Sequence, residues 1–95
     1  MQEQFEITKI HDGNTFEVSP FWEWRGENGV LVRATGYEAP AAGDPGYEPV
    51  KNRLMELLFG EQVTLAEPVA IEDDALACTV MVDGQSLAAF FPEYR

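Results

Sequence analysis

Residues 5–18 read Phe5-Glu6-Ile7-Thr8-Lys9-Ile10-His11-Asp12-Gly13-Asn14-Thr15-Phe16-Glu17-Val18. Phe5, Ile7 and Ile10 nearly alternate with polar residues, His11 to Asn14 supply turn chemistry, and Phe16 and Val18 alternate again. The stretch therefore predicts a strand, a tight turn and a second strand. Working outward, Ser19-Pro20 breaks the run and Phe21-Trp22-Glu23-Trp24 resumes it. Gly26-Glu27-Asn28-Gly29 then turns the chain into Val30-Leu31-Val32-Arg33, which completes a three-stranded meander.

Pro40, Gly43, Pro45 and Gly46 crowd residues 38–47, which predicts an irregular loop. A helix is expected next. Pro49 suits its first turn, Val50, Leu54, Leu57 and Leu58 make one apolar stripe, and Gly60 supplies a left-handed end. Residues 62–67 alternate through Val63 and Leu65 until Pro68 interrupts. Leu76, Cys78, Val80 and Val82 share one face of a last long strand that ends at the Asp83-Gly84 turn. Residues 87–91 read as one apolar helical turn stopped by Pro92. Three strands, a helix and two further strands predict a mainly β chain with one helix, folded as a five-stranded Greek-key barrel of the OB type.

Ninety-five residues support one small core, so residues 1–95 are expected to form a single domain. Seventeen Asp and Glu oppose six Lys and Arg, for a net charge of −11. That balance disfavours a polyanion, because proteins that hold nucleic acid neutralise phosphates with cations. Lys51 and Arg53 are the densest basic pair and read as a solvated helix face. Cys78 is the sole cysteine, which excludes an internal disulfide and a cysteine-based zinc site. The opening residues carry no signal pattern and no long apolar run occurs, so no membrane association is expected and a cytoplasmic place is the default unless a leader has been removed.

Asp12-Gly13-Asn14-Thr15-Phe16, then Val32-Arg33-Ala34-Thr35-Gly36-Tyr37-Glu38-Ala39-Pro40, resembles the staphylococcal nuclease-like (thermonuclease) family. There a DGDT turn precedes a strand reading like VRLxGIDxPE, a helix and a late strand ending at a DG turn. The helix at 51–60 and Asp83-Gly84 fall in matching order, and the likeness spans roughly residues 6–91. The resemblance implies an OB-fold enzyme that hydrolyses DNA and RNA with calcium. Two aspartates and a backbone carbonyl hold the ion, a glutamate after the proline accepts the proton of water, and two arginines grip the phosphate. Each demand is physical: calcium collects hard oxygens, water must lose a proton, and the phosphate gains charge in the transition state.

Carried over by residue, Asp12, Asn14, Glu38 and the Ala39 carbonyl mark the calcium site, with an amide at Asn14 where a carboxylate belongs and a longer acid at Glu38. Ala41 stands at the general-base position. Arg33 matches the first arginine, and an ungapped count back from Asp83-Gly84 puts Ala75 on the second, just after Glu72-Asp73-Asp74. Losing a positioned base costs roughly 10² to 10⁴ in rate and losing a transition-state donor roughly 10² to 10³. The expectation is thus a nuclease-like domain that has lost phosphodiesterase activity, with Arg33 and Glu38 as remnants of the catalytic set, and serves to bind a protein, a cation or a small ligand. The alternative is a calcium-dependent nuclease using Asp12, Glu38 and Asp44 with Arg33 as the only clamp.

The other chemistry-bearing residues each have a structural reading beside the functional one. Asp12 is a turn former or a ligand. Glu38 is a solvated loop acid or a ligand, and Arg33 is expected to pair with a nearby acid, Glu38 being the candidate. Asp44 and Glu48 read as solvated loop acids, His11 beside Asp12 as structural, and Cys78 as a small core hydrophobe. Phe21, Trp22, Trp24 and Tyr37 make either a stacking surface for bases or, more simply, core on one face with an exposed patch that suits a protein partner on the other.

Overall fold

A computed structural model describes residues 4–94; residues 1–3 and 95 of the expected single domain lie outside the described residues. Six strands and one helix follow one another as β1 (Gln4–Ile10), β2 (Thr15–Trp24), β3 (Glu27–Ala34), α1 (Tyr47–Leu58), β4 (Gln62–Glu72), β5 (Ala75–Val82) and β6 (Gln85–Ser86). Two 3-10 turns, Leu87–Phe90 and Pro92–Tyr94, end the described chain. The strands run in the order β3-β2-β1-β4-β5-β6, and parallel pairing of β3 with β5 joins the sheet to itself. The protein is therefore mostly β with one helix, and its first five strands close into a barrel of the OB-fold kind.

Alternation directs the core. Phe5, Ile7, Phe16, Val18, Trp22, Val32, Val63, Leu76, Cys78 and Val80 point inward and join one hydrophobic cluster. The helix adds Val50, Leu54 and Leu58, one residue per turn of a single stripe, and Leu87 and Phe91 are buried in the same cluster. Gly60 takes φ 79°, the left-handed geometry expected after the stripe, while α1 begins at Tyr47, two residues before Pro49. Asp83 and Gly84 both have positive φ, which turns β5 into β6 as the Asp-Gly pair predicted.

Both prolines that read as breaks lie inside strands. Pro20 sits in β2 and Pro68 in β4. Glu17 opposes Leu31 and Trp22 opposes Gly29, so five steps on β2 match two on β3. Likewise Ala66 opposes Thr79 and Ala70 opposes Ala77, which leaves Glu67, Pro68 and Val69 facing Cys78 alone. A residue without an N–H is accommodated where the ladder is irregular, so each proline makes a bulge instead of an end. The bulges bend the strands, as closing a small barrel requires.

Candidate functional site

The β1–β2 turn is built by its own side chains. Asp12 Oδ1 accepts the backbone N–H of Asn14 at 3.0 Å and of Thr15 at 2.9 Å, an Asx turn. Gly13 lets this turn press on the loop after β3: a Cβ there would lie 2.4 Å from Ala39 Cβ. The Tyr37 hydroxyl donates to the Gly13 carbonyl at 2.8 Å, and its ring stacks on Phe91 with centroids 5.0 Å apart. Burial, reinforced by the negative charge of Asp12, holds the Tyr37 proton well above the ordinary tyrosine range. Ala34 N–H donates to the Asn14 carbonyl at 2.8 Å. Turn and loop therefore form one braced unit.

That unit walls an open cleft of about 500 Å³, lined by Asn14, Arg33, Thr35, Glu38, Glu72 and Tyr94 among others. A second hollow of about 280 Å³ shares Asn14, Arg33 and Glu72 and adds Asp12 and Asp73. Arg33 thus stands between two recesses. Glu38 N–H donates to the Tyr94 carbonyl at 2.9 Å, which brings the last 3-10 turn to the rim.

One expectation about the site needs correction. Arg33 pairs with Glu72 at 3.4 Å, not with Glu38. Both ends of that pair are more than half exposed, so it contributes about 0 to 1 kcal/mol. Tyr37 belongs to the core and presents no stacking face, as does Trp22, whose Nε1 donates to the Leu31 carbonyl at 2.8 Å. Trp24 is half-buried with the Arg25 guanidinium 4.5 Å from its ring, and Phe21 is exposed, so the aromatic group divides between core and surface. His11 meets Glu17 at 2.7 Å, so its neighbour Asp12 is not its partner.

The remaining positions are placed as follows. Ala41 is exposed, and its N–H donates to Asp44 Oδ2 at 3.2 Å, which ties Asp44 into its own loop. Glu48 lies exposed in the first turn of α1, where the helix dipole favours an acid. Ala75 is buried at 5% exposure at the start of β5, where it lines the smaller hollow. Cys78 is buried and its thiol is pushed up to about 12, the behaviour of a core residue. Lys51 lies over the Tyr47 ring, and Arg53 lies over Phe91 while donating to the Phe90 carbonyl and to Glu93. Neither faces the cleft.

The donor set does not fit a calcium ion. One Asp12 oxygen is engaged by two backbone N–H groups, Asn14 offers a neutral amide, and among the described residues no three His, Cys, Asp or Glu side chains gather around one point. Val69 and Tyr94 line the cleft without a local sequence signal, because a bulge and a chain end deliver them. No family model matches the chain, and no curated protein matches it. Among the described residues no helix is long and apolar enough to cross a membrane.

Proposed function

We propose that this chain is a staphylococcal nuclease-like barrel that does not cleave phosphodiesters and uses the cleft around Arg33 to hold a protein or small-ligand partner. The observation that carries the reading is the Arg33–Glu72 pair. Among the described residues the single cation of the cleft is Arg33, and it already faces a carboxylate from β4, which lowers its pull on a phosphate. The motif order of the sequence, the barrel topology and the poor calcium donor set support the same reading. With Ala41 at the base position, no side chain there can accept a proton from water.

The test is hydrolysis of single-stranded DNA with and without calcium. No turnover above background is expected at any calcium concentration. Chelator-sensitive turnover that disappears in Arg33→Ala overturns the reading in favour of a calcium-dependent nuclease with an altered carboxylate set.

A further inference from the structure

We infer that the cleft receives lysine or arginine side chains of a partner polypeptide, an inference that rests on the non-cleaving reading above. Among the described residues the charges facing it are Glu38 and Glu72, with Asp12 and Asp73 in the adjoining hollow, against Arg33 alone. Among the described residues the Glu38 and Asp73 carboxylates have no hydrogen-bond or ion-pair partner, whereas Arg33 has Glu72. The unspent charge at this face is negative, and a cationic group fits it.

A second, independent feature belongs to the same place. The bulge opposite Cys78 pushes Val69 outward to 66% exposure, the highest of the large apolar side chains among the described residues, and Val69 lines this cleft. A lysine or arginine has the matching form: a methylene stem to lie along Val69 and Tyr94, and a charged head to reach Glu38 and Glu72. Another copy of the chain fits poorly, because each carries a net charge of −11. Nucleic acid is repelled for the same reason. A basic, extended partner segment remains, and the protruding Val69 gives it apolar contact beyond any single charge.

The probe is a short fluorescein-labelled peptide of alternating lysine and alanine, followed by anisotropy at about 150 mM salt, where distant charges are screened. Glu38→Gln and Glu72→Gln are each expected to weaken binding about twofold to fivefold, the range for exposed ion pairs. Val69→Ser is expected to weaken it by a similar factor with no change of charge. Arg33→Ala is expected to tighten binding about twofold to fivefold, the opposite sign from a cleft that holds anions. The control is Glu23→Gln/Glu27→Gln, which removes two acids from the β2–β3 hairpin and is expected to change affinity less than twofold. Absence of binding, an equal loss in the hairpin control, an unchanged Val69→Ser, or weaker binding by Arg33→Ala each overturns the inference. All the altered side chains are exposed, and thermal melting confirms that each variant folds. DNA hydrolysis by the same preparation tells against the non-cleaving reading instead, so the two ideas fail on separate measurements.

Discussion

The bond from Tyr37 to the Gly13 carbonyl braces the turn that carries Asp12 and Asn14 against the loop that carries Glu38, so its removal tests how the cleft is held. Tyr37→Phe deletes the donor and keeps the ring that stacks on Phe91. Gly13 is buried, so its carbonyl is left without a partner, which costs about 1 to 2 kcal/mol near neutral pH. For a domain of this size that loss lowers the melting temperature by roughly 5 to 15 °C.

The pH dependence separates this bond from simple packing. The Tyr37 pKa is raised in the folded state, by burial first and by Asp12 second, so the folded protein keeps a proton that the unfolded chain releases near pH 10. The unfolded state then binds fewer protons, and stability falls as pH rises above 10 by about 1.4 kcal/mol per unit. Tyr37→Phe has no such proton. Its deficit is therefore expected to be full at pH 7 to 9 and to close within about one unit above pH 10. The Cys78 thiol, pushed up to about 12, adds an alkaline loss to both proteins and cancels from the difference. Urea denaturation of the two proteins across this range measures the gap. A deficit that stays constant from pH 9 to 11 would falsify the buried-hydroxyl account, and one below about 0.5 kcal/mol at neutral pH shows that the Gly13 carbonyl has another donor.

Gly13→Ala places a methyl 2.4 Å from Ala39 Cβ and 3.1 Å from Val50 Cγ1; the overpacking is expected to cost about 1 to 3 kcal/mol by urea denaturation, and a neutral result refutes the tight approach of turn and loop. Asp12→Ala strips the two N–H bonds from the Asx turn and is expected to lose about 1 to 2 kcal/mol, whereas Asp12→Asn, which keeps an acceptor oxygen, retains most of the stability; equal losses contradict that role. Cys78 is expected to react with a thiol reagent at pH 8 only as fast as the protein opens, so labelling that ignores added denaturant contradicts its burial. About 10 mM calcium is expected to leave the melting temperature unchanged, while Asn14→Asp/Glu38→Asp, which supplies the two carboxylates that the nuclease resemblance implies, is expected to gain several degrees if its site binds near 1 mM. A calcium-dependent rise in the unaltered protein contradicts the misfit of its donor set.

The barrel was legible because its determinants are local. Period-two alternation, the Asp-Gly turn after Val82 and the Val50-Leu54-Leu58 stripe each act within a few residues, and the structure keeps all of them. Pro20 and Pro68 read as breaks, yet β2 and β4 run through them, for a reason that lies beyond the segment. Whether a proline stops a strand or bulges it depends on whether the partner strand supplies fewer residues at that point, and β3 and β5 do. The Arg33–Glu72 pair was illegible for the same kind of reason. Arg33 is set beside Ala77 by parallel pairing, and β4 meets that same Ala77 through Ala70, so the two charged residues become neighbours only through a third strand. Glu38, five residues from Arg33, was the nearer candidate along the chain but sits beyond the end of β3. The electrostatic character of the cleft is therefore a product of barrel closure: the same closure that brings Glu72 to neutralise Arg33 also displays Val69 beside it. A sequence that kept every motif but lost the bulge at Pro68 would close with a different face at this cleft.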